Sequence, residues 1–342
     1  MTIIEHTVPA LPEPASHILA QARRVRASRA EHDWLAARLP CLQAVELVPP
    51  PQAQPLGHRV RIAAWNAERC KYLPESAALL GGIGADVVLL TELDIGMARS
   101  GNRRTVGELA RMLGAGYAFG VEYVELGLGD NREKAWHARE TNAVGLHGNA
   151  ILSKAPLDRP AVVRLDDGAR WFAGEQSTSE RRIGARMAVL ARFDAGGVPL
   201  LAASVHLESS TDAADRAAQV AVLLRAIEER AGDHAVIIGG DFNTSALPPA
   251  DADGGAWFDR AASYEPMFAL FKEAGFDWRT ANTPQATERM RPDGTPEPPY
   301  RRIDWFFTRG ATVEHASTAA AIDAAGTAVS DHDVLVIDIA AR

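Results

Sequence analysis

Short apolar runs of strand length recur through most of the chain, at 60–65, 87–90, 150–152, 187–193, 200–205, 235–238, 303–307 and 334–339. Each reads as a buried strand by its β-branched and aliphatic content. Helical periodicity appears between them at 75–80, 106–113, 213–230 and 266–274. The alternation is too irregular for a barrel of eight βα units. The runs 187–193 and 200–205 are separated only by a turn through Asp194-Ala195-Gly196-Gly197, so they must pair antiparallel. Two facing mixed β-sheets with helices outside satisfy all of this, and the expected fold is a four-layered α/β sandwich. With 342 residues and 47% hydrophobic content, the chain is long enough for one large domain.

Ahead of the first strand, Ile18, Leu19, Ala22, Val25, Trp34, Leu35 and Leu39 recur at helical spacing, which predicts a helix over 15–39 that stops at Pro40. Four prolines between residues 49 and 55 then read as a linker. The expected organisation is a helical extension with its linker over 1–58 and a main domain over 59–342.

Polar residues stand at the ends of the apolar runs six times over. Ile62-Ala63-Ala64-Trp65 is followed by Asn66 and Glu68, Val87-Val88-Leu89-Leu90 by Glu92 and Asp94, and the run through Val205 by His206. Val236-Ile237-Ile238-Gly239-Gly240 leads into Asp241 and Asn243, Arg302-Ile303 into Asp304, and Ser330-Asp331-His332 precedes the last strand. A single Asn or Asp after a strand is ordinarily a turn former. Repetition at strand ends, which gather along one sheet edge, points instead to a shared site. Gly239 and Gly240 permit close backbone approach, while Asp241 and Asn243, two apart, point the same way in an extended chain. His206 and the Asp331-His332 pair suit acid and base work. Hard oxygen donors and two imidazoles without a thiolate favour Mg²⁺ or Mn²⁺ over structural zinc. A cation of that kind with nearby imidazoles predicts hydrolysis of phosphate esters.

These residues, with His147-Gly148-Asn149-Ala150-Ile151-Leu152-Ser153, Val205-His206-Leu207, Gly240-Asp241-Phe242-Asn243 and Ile303-Asp304-Trp305, occur in an order that resembles the endonuclease/exonuclease/phosphatase superfamily over about residues 59 to 341. The resemblance implies Glu92 as principal metal ligand with Asn66 and Asp331 beside it. It further implies that Asp304 orients His332, Asp241 positions the attacking water, Asn243 and His206 contact phosphoryl oxygens, and Asn149 supports the substrate site. Two departures stand out. Thr91 occupies a position where many members carry glutamine, and residues 122–142 form a long polar stretch containing tryptophan.

The net charge of −8 lacks the basic field that draws proteins onto nucleic acid, so a small or medium-sized phosphate ester is the expected substrate. A DNA or RNA endo- or exonuclease is the second reading, and a non-catalytic binding module on the same scaffold the third. Arginine clusters at 99–104, 181–186 and 301–302 are candidates for a phosphate pocket. Only Cys41 and Cys70 occur, which fits a reducing compartment. Neither a secretory leader nor a membrane-spanning run is visible, and the expectation is a cytoplasmic protein without a membrane partner. Oligomeric state leaves no mark on the sequence.

Overall fold

The computed structural model describes residues 1–178 and 180–341. With strands numbered in chain order, one sheet runs β1 (Thr2–Ile4), β8 (Asp158–Arg164), β10 (Met187–Ala195), β11 (Val198–His206), β12 (Ala235–Asp241), β13 (Asp304–Arg309). The other runs β14 (Thr312–Ala319), β15 (Val334–Ala340), β4 (Arg59–Arg69), β5 (Val87–Ile95), β7 (Leu146–Ser153), β6 (Gly116–Glu125), β3 (Val45–Val48), β2 (Thr7–Val8). A short strand, β9 (Arg182–Gly184), also pairs with β6. The expected hairpin forms between β10 and β11, in register from Met187 opposite His206 to Ala195 opposite Val198.

Strand alternation sorts side chains into three apolar layers. Along β4, Val60, Ile62 and Ala64 face the space between the sheets, where they meet Val189, Ile237 and Phe306. Ala63 and Trp65 point the other way, toward α3 (Leu73–Ile83) and α4 (Thr105–Leu113). On the first sheet, Leu201, Ala203, Val205, Val236 and Ile238 pack against α7 (Ala213–Ala231) and α8 (Met267–Glu273). Period-2 burial on both faces of each sheet thus produces helix, sheet, sheet and helix layers. Trp257 and Phe258 belong to the α8 layer, where Trp257 is fully buried. Among the described residues, no helix is long and apolar enough to cross a membrane.

The first 58 residues do more than carry helices. β1 pairs with β8, and β2 pairs with β3, which pairs with β6, so this segment supplies edge strands to both sheets. The helix expected over 15–39 is two helices, α1 (Ser16–Arg24) and α2 (Arg29–Ala36). Ser28 separates them, because its hydroxyl accepts the Glu31 N–H and caps a new helix.

Gly239 and Gly240 are required by packing. A Cβ at Gly239 would lie 2.7 Å from the Phe306 ring of the same sheet and 3.0 Å from Ala64 of the facing one. Gly240 has φ +142°, and its Cβ would lie 2.1 Å from the Val205 carbonyl oxygen. Gly240→Ala is expected to destabilise the chain by at least about 1–3 kcal/mol from backbone strain alone. The urea midpoint checks this, and an unchanged midpoint would show that the backbone relaxes there.

Candidate active site

Strand directions explain why residues far apart in the chain meet. β4 and β5 are parallel, as are β11 and β12, so Asn66, Glu92, His206 and Asp241 lie at or near strand C-terminal ends. β7, β13 and β15 run antiparallel to these neighbours, so their beginnings lie at the same edges and bring in Asn149, Asp304 and the 330–332 turn. Asp241 is directly opposite Asp304 and beside His206 in the ladder. The turn is tied down locally: Ser330 Oγ donates to the Asn66 carbonyl at 2.7 Å, and Trp65 Nε1 donates to the His332 carbonyl at 2.9 Å.

The resulting side chains form a continuous line, buried from Asp304 to His206 and partly exposed at Glu92. Asp304 Oδ2 is 2.8 Å from His332 Nδ1, whose other nitrogen, Nε2, is 3.9 Å from Asp241 Oδ2 and 4.0 Å from Asp331 Oδ1. Asp241 Oδ2 is 3.7 Å from His206 Nε2, which is 3.9 Å from Glu92 Oε1. Asn66 Nδ2 donates to Asp241 Oδ2 at 3.0 Å. The Asn243 backbone N–H donates to Asp241 Oδ1 at 2.9 Å, and Asn243 Nδ2 donates to the Leu207 carbonyl at 3.0 Å. Asn149 is behind Glu92, its Oδ1 3.4 Å from the Glu92 N–H. All nine residues singled out from the sequence are therefore gathered along one line or its flanks.

Electrostatics differ along that line. Burial would raise the Glu92 carboxyl, but the Arg69 guanidinium and then the imidazoles of His206, His147 and His332 hold it well below the usual carboxylate range. Asp241 goes the other way, pushed up by burial and by Asp304 against the pull of His332 and His206. Burial opposes charge on His332, yet Asp304, Asp241 and Asp331 outweigh it and keep its imidazole protonated well above the ordinary range. Two neighbouring carboxyls driven apart, with a cationic imidazole between carboxylates, is the pattern expected where protons move.

The donors around Glu92 fit a hard cation. Glu68, which is buried, has one carboxylate oxygen, Oε2, with no hydrogen-bond partner among the described residues, and its carboxyl is raised by burial and by Asp331. Burial pushes the Cys70 thiol up to about 12, so no thiolate competes. Arg69 Nη1 lies 2.5 Å from Glu92 Oε2 and already supplies one positive charge there. Backbone strain also concentrates here. Glu68, Arg69, Cys70, Glu92 and Asn243 are five of the nine non-glycine residues with positive φ among the described residues. Such conformations persist where the surroundings over-determine them, often at functional sites.

Glu122 was not readable in the sequence as a site residue, and Arg186 only as a member of the 181–186 cluster. Glu122 on β6 lies 3.0 Å from His206 Nδ1, so each imidazole has its own carboxylate. Arg186 bridges Glu122 (2.7 Å) and Glu208 (3.1 Å) and sits 3.0 Å from His206 Nε2. The polar stretch 122–142 thus begins as a buried strand and continues into α5 (Asn131–Trp136), capped reciprocally by Asp130 and Glu133. The arginine clusters are mostly structural: Arg99 is buried on Asp94 and Glu133, and Arg302 on Asn282. Burial raises the Glu208 carboxyl, but Arg186 prevails and takes it down to about 2. A depressed folded value means stability present above the unfolded value, near 4.3, and lost as pH falls toward 2. Glu208→Gln should flatten the fall of the urea midpoint across that window; an unaltered slope would mean the ion pair contributes nothing.

The model of the "Endonuclease/Exonuclease/phosphatase family" matches residues 63–332. No curated protein sequence matches the chain. Among solved structures, an endonuclease/exonuclease/phosphatase from Beutenbergia cavernae superposes with TM-score 0.57 at 21% identity, covering 83% of this chain and 72% of that one. A mannosyl-6-phosphatase from Bacteroides thetaiotaomicron gives 0.52 at 13% identity over 82% and 99% of the two chains. A humanized D. rerio TDP2 gives 0.51 at 17% identity over 83% and 99%. Identities this low speak to the fold alone, whereas the family model spans most of the chain and every strand end described above. The chain belongs to the endonuclease/exonuclease/phosphatase family, whose members are metal-dependent phosphoester hydrolases.

Proposed function

We propose that the chain hydrolyses a small or medium-sized phosphate mono- or diester by in-line attack of an activated water. The observation that carries this reading is the line Asp304, His332, Asp241, His206 and Glu92, each step no longer than 3.9 Å. Glu92, with Asn66 and Asp331, would hold Mg²⁺ or Mn²⁺, which when bound neutralises charge on the phosphoryl group. Asp241, raised by burial and Asp304, orients the water and takes its proton. His332, kept cationic by Asp304, donates to a phosphoryl or leaving oxygen. His206 faces the site through Nε2 while Glu122 fixes its Nδ1. Asn243 spends one amide hydrogen on Leu207 and has a second for a phosphoryl oxygen. Asn149 supports Glu92 through the backbone. Both cysteines are buried and unpaired, in keeping with a cytoplasmic setting.

A panel of model monoesters and diesters, inositol phosphates, lipid head groups, oligonucleotides and plasmid, with and without chelator, tests the reading. Metal-dependent turnover of small esters is expected. Turnover confined to DNA or RNA, falling steeply with salt, would identify a nuclease instead. Ligand binding without any turnover would favour a binding module.

A further inference from the structure

Three guanidiniums meet at the end of the sandwich remote from the catalytic line. Arg159 comes from β8, Arg192 from β10 and Arg230 from the last turn of α7, and together they line a cavity of about 560 Å³. Arg192 is opposite Leu201, which precedes His206 along β11 by about 17 Å of strand. Backbone carbonyls draw the three side chains together: Arg192 Nη2 donates to the Arg230 carbonyl, and Arg230 Nη2 donates to the Arg159 carbonyl at 2.7 Å. A bulge aims that second carbonyl. Between the pairs Leu190–Ala161 and Arg192–Asp158, Ala191 alone faces both Arg159 and Pro160, and Arg159 has φ +46°. Glycine ordinarily takes such a position. Here it carries a guanidinium that is 67% exposed.

Carboxylates hold this cluster only loosely. Arg192 makes no ion pair among the described residues, and burial, Arg159 and Arg230 push its guanidinium down, with Asp158 opposing. Arg230 pairs with Glu5, and Arg159 reaches Asp158 only at 3.8 Å. Glu5 and Asp158 are 65% and 77% exposed, and pairs so exposed contribute little. Glu229, the remaining carboxylate on the wall, is exposed too. Arg230 Nε is buried with no hydrogen-bond partner among the described residues, so a donor stands unused. Planar guanidiniums converging on one space match the oxygens of a phosphate group, which each can grip in pairs. We propose that this cavity binds a phosphate group, free or as the end of a monoester, at a site separate from the reaction centre. The assignment does not depend on the phosphoesterase reading.

Calorimetric titration of the full chain with inorganic phosphate, in chelator so that no cation draws the anion to Glu92, tests this site. Saturable binding is expected, weakened at least roughly tenfold by Arg192→Gln and by Arg159→Gln, the scale of one charged hydrogen bond, and unchanged by His332→Gln. Arg159 is exposed, so its variant keeps the test decisive even if loss of Arg192 disturbs folding. Glycerol 1-phosphate binding at least as tightly as phosphate would assign the site to a monoester, and binding of phosphate alone would assign it to the free ion. Absence of saturable binding, its loss in His332→Gln, or unaltered affinity in Arg159→Gln would overturn the site.

Discussion

His332→Gln is expected to lower kcat by roughly 10²–10⁴-fold, the range supplied by a positioned proton donor or acceptor. Glutamine is preferred to alanine because its amide can still donate to Asp304, whose Oδ1 is already buried without a hydrogen-bond partner among the described residues. Removing the one hydrogen bond that Oδ2 makes among the described residues would add a stability defect to the catalytic one. Near-UV circular dichroism and the urea midpoint should stay close to wild type while turnover collapses. A variant that keeps near-normal kcat would reduce His332 to a packing residue and move the proton chemistry to Asp241 and His206.

Glu92→Gln is expected to abolish the response to added Mg²⁺ or Mn²⁺ and to lower turnover by orders of magnitude. It removes the carboxylate that Arg69 and the neighbouring imidazoles hold well below its ordinary range, and with it the charge opposite Arg69. Arg69 retains Glu133, 3.2 Å away, so its guanidinium does not become an isolated buried charge and the fold should survive. Metal titration of activity, alongside thermal denaturation, separates the two effects. Wild-type metal dependence in this variant would move the cation to another group of ligands.

Much of this site was legible because strand ends are legible. Asn66, Glu92, His206 and Asp241 follow apolar runs and Asp304 precedes one, the alternation of these runs fixes both faces of a sheet, and parallel or antiparallel pairing then dictates which ends coincide. Glu122 escaped notice because it lies inside a strand, β6, where a buried carboxylate resembles a surface one until its partners Arg186 and His206 are known. The arginine clusters were ambiguous for the converse reason. Arg186 is buried by Glu122 and Glu208 and Arg99 in part by Glu133, all distant in sequence, and charge pairing over such separations leaves no periodic trace. The edge strands at Thr2–Ile4 and Thr7–Val8 are too short for their periodicity to register, and one serine hydroxyl divides the first helix.

Diffraction from a Mn²⁺-soaked crystal, recorded where manganese scatters anomalously, bears most directly on the central claim that the cation site is built on Glu92 at the meeting of the two sheets. The predicted result is an anomalous peak within about 2.0–2.6 Å of a Glu92 carboxylate oxygen, with Arg69 drawn off that oxygen and Asn66 and Asp331 beside the ion. A peak elsewhere with Arg69 still seated on Glu92 would contradict it.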